Sequence, residues 1–271
     1  MQLRTGASRT PALLASIEQE ARALIAEAPE FAQGYAVLGY LAYETGDQIT
    51  AVRSLRCVLS LYPSDGDIRF FLGISHQVGG RENARIGQEW LALDPLSPLA
   101  NILMAANTWF SGRLADGLPD IEEAVRLAPA GLIFHWGLGI HYALVGRYDD
   151  SARHVTWLRE HAAHLPYTAQ LHGLVLAATG RPAKALDILA IVDESVLDEH
   201  HTFHFGESYI MAGAHERGIA LIDRAVTMGF YTGEYLDRIC SFYETVRGRE
   251  DFARLVGRAG HRAAEFAAAI G

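Results

Sequence analysis

Lysine is almost missing from this sequence of 271 residues: Lys184 is the one lysine among 23 basic side chains, set against 32 acidic ones for a formal charge of -9. That balance opposes a nucleic-acid partner, which needs clustered cations to displace the counterions of phosphate. Any cation that fixes a ligand has to be an arginine, with the rigid bidentate geometry that implies. Cysteine is nearly as scarce. Cys57 and Cys240 stand in separate apolar patterns with no metal or redox spacing, and read as buried free thiols in a reducing compartment. Long apolar runs are missing too: nowhere do about 18 apolar residues stand together, the length a membrane span needs. Glu18, Glu20 and Arg22 interrupt the stretch that a signal peptide would keep apolar. The expectation is a cytoplasmic chain with no membrane contact. Gly-x-Ser-x-Gly is absent, and no serine or cysteine has a placed base, so neither a catalytic residue nor a cofactor is expected.

What is present is regular. The chain is 50% hydrophobic, enough for a large core, and a small residue is followed by glycine seven positions later at Gly39/Gly46, Gly73/Gly80, Ala105/Gly112, Gly139/Gly146, Gly173/Gly180 and Gly206/Gly213. The second glycines are spaced 34, 32, 34, 34 and 33 residues apart. A period near 34 belongs to helix-turn-helix repeats that stack side by side. In that frame the small residue lets helices approach, and the second glycine closes the first helix in a left-handed C-cap. Arg81, Arg113, Arg147 and Arg181 follow four of these glycines and place a cation near the negative end of a helix. Prolines 29, 63, 95, 129 and 166 close or separate the repeats.

With Tyr35-x2-Leu38-Gly39 and Pro63 in the first repeat, Leu138-Gly139-x2-Tyr142 in the fourth and Phe205-Gly206-x2-Tyr209 in the sixth, residues 12 to 230 resemble the tetratricopeptide repeat family. The end of the chain, with Gly229-Phe230-Tyr231, the stretch Phe242 to Val246, and Arg247 to Phe252, is similar to the tetratricopeptide region of some bacterial signalling proteins. Glu250-Asp251 stands where that family usually has Asp-Pro. The resemblance implies an all-α, right-handed α-solenoid: a lone helix over 12–28, six helix pairs over 32–230, and capping helices over 231–271. It also implies an interaction module of a larger bacterial regulator, whose kinase, cyclase or DNA-binding part has no motif in this chain.

In such a solenoid the first helix of each repeat faces inward. The inward positions are Tyr40, Tyr43, Phe70, Ile74, Ile102, Trp109, Trp136, Ile140, Leu174 and Phe203, with Gln170 and Glu207 the polar members. That face predicts a groove for an apolar or helical peptide segment of a protein partner, anchored on Trp109 and Trp136. Burial of the same face between neighbouring helices is the competing outcome. Self-association into a homodimer, through the open N-terminal edge, is the alternative function. A metal-dependent enzyme is the distant one, resting on His200 and His204 at i, i+4 with Glu207 one turn on. That constellation is read instead as a polar helix start, capped by Asp198, with partly solvated imidazoles and no metal. His154, His161 and His164 are read as a half-exposed face of one helix.

Overall fold

The computed structural model describes residues 10–80 and 84–271, and every regular element among them is helical. A lone helix α1 (Pro11–Glu27) precedes six pairs: α2 (Ala32–Thr45) with α3 (Gln48–Leu61), α4 (Gly66–Val78) with α5 (Ala84–Leu93), α6 (Pro98–Phe110) with α7 (Leu118–Leu127), α8 (Leu132–Leu144) with α9 (Tyr148–Ala162), α10 (Pro166–Ala178) with α11 (Pro182–Leu189), and α12 (Glu199–Met211) with α13 (His215–Thr227). The molecule is an all-α solenoid. Arg81 lies outside the described residues.

Local chemistry sets the helix ends. Asp47, Asp65, Ser97 and Asp198 each accept a backbone N–H from the third residue on, and Pro98, Pro166 and Pro182 occupy first turns, where a missing N–H costs nothing. All six repeat glycines sit at positive φ, from 77° at Gly112 to 84° at Gly213, the conformation that ends the first helix and reverses the chain into the second.

The small residues work as steric allowances, though not always against the neighbour the repeat frame predicts. A Cβ on Gly39 would come within 2.8 Å of Leu55 in the partner helix, whereas one on Gly73 or Gly139 would strike Leu103 or Leu171 of the next repeat. Close approach therefore holds repeats to each other as well as helices within a pair. Position along the stack decides how much of a helix is covered. α1, at the edge, buries only Ala21, while α8, in the middle, buries every residue from Phe134 to Leu144.

Two expectations change. Cys57 is exposed, because Val52, Leu55 and Val58 form the buried stripe of α3 and position 57 falls outside it; only Cys240 is buried. His164 lies beyond the end of α9 and shares no helix with His154. The closing segment is a short irregular stretch, with π and 3-10 turns over Tyr235–Ile239 and Ser241–Tyr243, and one long helix, α14 (Glu250–Ile270).

That segment turns back across the stack. The Tyr231 N–H donates to Val78 O at 2.5 Å and the Tyr231 hydroxyl to Gly46 O at 3.3 Å. At the far end of α14, Arg53 and Arg56 of α3 donate to the carbonyls of Ala269 and Ile270 at 2.9 and 2.7 Å. Phe266 packs on Gly79, where a Cβ would collide with its ring. The residues after the sixth repeat are thereby bonded to the first and second, and the superhelix is closed on itself.

Candidate functional site

The closing segment fills the second half of the concave face. Phe230 stacks on Phe203 with ring centroids 4.2 Å apart and meets the edge of Phe110. Ile140, Leu174 and Phe203, three of the predicted groove residues, are fully buried. All three belong to the core, and Phe203 is covered by Phe230 of the closing segment.

The polar members of the face are internal anchors. Glu207 is fully buried and its Oε1 accepts from the hydroxyls of Tyr235 at 3.0 Å and Tyr243 at 2.9 Å, while Oε2 meets His204 Nδ1 at 2.5 Å. Burial, then the nearby Cys240 and Glu207, pushes the Tyr235 phenol well above its ordinary value; burial and then Glu207 do the same to Tyr243 and to the Cys240 thiol. All three stay protonated, and the two phenols remain donors to the carboxylate. The expectation of partly solvated imidazoles is corrected at His204, which is fully buried between Trp109 and Trp136 at ring distances of 5.3 and 5.2 Å. Asp198 does cap the helix, its carboxylate accepting the His201 N–H at 2.8 Å. Among the described residues no group of three or more His, Cys, Asp or Glu is placed to hold a metal ion.

The two tryptophans are held by their edges. Trp109 Nε1 donates to the Tyr235 hydroxyl at 3.0 Å, and Trp136 Nε1 to Gln170 Oε1 at 2.8 Å, with Gln170 passing a hydrogen bond on to Ser208. They are 5% and 3% exposed, so they are structural residues whatever else they do.

The first half of the concave face is not filled. A cavity of about 480 Å³ lies between α2, α4, α6 and α8 and is closed on the far side by His200 and His201 of α12. Seven of the predicted groove residues line it: Tyr40, Tyr43, Phe70, Ile74, Ile102, Trp109 and Trp136. Phe71, Gln77 and His141 line it too, beside the positions inferred from the repeat frame. Nothing in that frame announced His200 and His201 as lining, because they arrive from the sixth repeat across the interior. His141 Nε2–H donates to Leu114 O, and burial lowers its pKa, which keeps it neutral at pH 7.

No protein-family model and no curated protein sequence matches the chain. Solved structures do match it. The thermophilic TPR protein TTC0263 of Thermus thermophilus superposes with a TM-score of 0.59 at 18% identity, over 66% of this chain and all of that one. A tetratricopeptide repeat protein from Parabacteroides merdae gives 0.58 at 16% identity over 91% of this chain and 92% of its own. The human IFIT1 dimer with m7Gppp-AAAA gives 0.59 at 15% identity, over 94% and 67%. The chain has the tetratricopeptide repeat fold. Within that fold the cavity sits where the first helices of repeats one to four converge, on a concave surface shortened by the chain's own closing segment.

Among the described residues no helix is long and apolar enough to cross a membrane.

Proposed function

We propose that the chain is an interaction scaffold that receives a compact apolar group of a protein partner in the cavity beneath Trp109 and Trp136, and performs no chemistry itself. The observation that carries this is the cavity: an aromatic chamber left open in a face that is elsewhere packed by the chain. The filled half of the face narrows the partner. A helix laid along several repeats would run past the chamber of about 480 Å³ into the closing segment, where Phe230 already stacks on Phe203. The occupant is a cluster of bulky side chains or a chain end, rather than a helix laid along several repeats. The volume also falls within the roughly 300 to 1,000 Å³ of small-molecule sites, which makes a free apolar ligand the second reading.

Phosphate-bearing ligands such as the m7Gppp-AAAA named with the IFIT1 dimer are disfavoured. Among the described residues no arginine or lysine lines the chamber, and Glu44 and Asp67 do.

The test uses Ala106→Phe, a substitution that adds a ring inside the chamber without deleting a core contact, since Ala106 lines it and is half-buried. The uncharged fluorophore N-phenyl-1-naphthylamine should bind the native chain with one-to-one stoichiometry and be excluded from Ala106→Phe at unchanged thermal midpoint. A partner protein captured by the native chain should be lost with the same variant. Equal dye binding by both forms would refute the reading.

A further inference from the structure

We infer that the chamber selects a positively charged apolar group: on the reading above, a bulky side chain of the partner standing next to an arginine or lysine. This rests on the chamber accepting an apolar occupant, and adds the sign of its charge.

Complementarity sets that sign. Asp67 lies on the wall and Asp65 caps the helix that carries it. Their charges, after burial itself, raise the phenol of Tyr40 on the same wall to about 12. Glu44 lines the wall as well, engaged in interactions of its own. The N-terminus of α4 contributes about half a positive unit, less than two carboxylates. Of the three lining imidazoles, His201 is paired with the Asp198 carboxylate at 2.7 Å and His141 is held neutral by burial, which leaves one, that of His200, to set against the carboxylates of Asp67 and Glu44. Tyr40, Phe70, Phe71 and Trp109 line the chamber, and aromatic rings attract a cation through their quadrupoles, the more so as water is excluded. Both contributions favour the same sign, and among the described residues the lining offers an anion no guanidinium or ammonium.

The experiment uses tetraphenylphosphonium and tetraphenylborate, ions of nearly one shape and opposite charge, as competitors of N-phenyl-1-naphthylamine on the whole chain. The cation should displace the dye about tenfold better than the anion. That preference should shrink as salt is raised and collapse in Asp65→Asn combined with Asp67→Asn, where asparagine keeps the helix cap. The blocked peptide Ac-Phe-Leu-Arg-amide should compete with the dye, and its glutamine counterpart should compete less. Equal displacement by the two ions, with no effect of salt, overturns the inference and leaves the scaffold reading standing. Dye that never binds overturns both. Discrimination between the ions with no competition from either peptide overturns the partner segment as occupant, in favour of a small organic cation.

Discussion

Glu207 shows how one side chain can look like a ligand and serve as a strut. Its carboxylate is fully buried and takes hydrogen bonds from two tyrosines of the closing segment and from His204. A buried charge is tolerable only when so partnered, and removing one partner leaves the others unsatisfied. Glu207→Gln should therefore cost about 2–4 kcal/mol in urea denaturation, because the amide turns a donor toward groups that are themselves donors. A loss below about 0.5 kcal/mol would show that the network contributes little. Trp109→Ala and Trp136→Ala should each cost about 3–5 kcal/mol, the range for core aromatics. These two substitutions thus report on stability first, and Ala106→Phe is the cleaner probe of the chamber.

Among the elements, α14 has the largest consequence. It is a 21-residue helix that buries Phe252, Leu255, Ala259, Phe266 and Ile270. Its last turn binds two arginines of α3, more than 200 residues earlier in the chain. Phe266→Ala should cost about 3–5 kcal/mol and also raise amide exchange in α3 and α4, because the helix ties the second repeat to the end of the chain. Phe31→Ala, on a ring that is 53% exposed, should change stability by no more than about 0.5 kcal/mol. Exchange in α3 and α4 unaffected by Phe266→Ala would mean that the first repeats stand without the clasp. At the middle of the stack, Gly139→Leu should cost about 1–3 kcal/mol by driving a side chain into Leu171 and His154.

At the scale of the whole molecule, acid should loosen the structure. His154 Nδ1 lies 3.0 Å from His135 Nδ1, and His135 Nε2 meets Pro129 O at 2.9 Å, so the His135 Nε2–H donates to the carbonyl and its Nδ1 accepts from His154. That arrangement needs His135 neutral, because its Nδ1 must keep a lone pair, and a charge on His154 would be both buried and next to that ring. Burial lowers both, His154 to about 4, with the neighbouring His135 as the second cause there. A histidine whose folded pKa is depressed binds fewer protons than the unfolded chain between about 4 and its ordinary value of about 6.5. Stability is complete above that upper value and is lost as pH falls through the window. For His154, which is partly exposed, the effect is discounted to roughly 1–2 kcal/mol. The thermal midpoint should fall between about pH 7.5 and 5, and less so in His154→Gln; a flat profile in the native chain would refute the assignment.

How much of this was readable beforehand follows from what each residue depends on. The six turn glycines were legible because a left-handed C-cap is a local demand, met by the chain within a few residues, and a period near 34 follows from stacking similar pairs. The inward face was legible for the same reason: Tyr40, Phe70, Trp109 and Trp136 each hold the inward phase of a 3.6-residue helix. What that face meets is not local. Phe230, Tyr235, Tyr243 and Phe266 carry no mark saying that they cross the interior to Phe203, Glu207 and Gly79. Such partners lie far apart along the chain, 185 residues in the case of Tyr231 and Gly46, and no periodicity encodes such a distance. The sequence by itself thus determined the repeat, its turns and the side of each helix that faces inward, all set by backbone geometry over one or two turns. Only the tertiary structure decided that half of the concave face is filled by the chain and half is left as an acid-edged aromatic chamber, because that depends on where the closing segment finds apolar surface to bury.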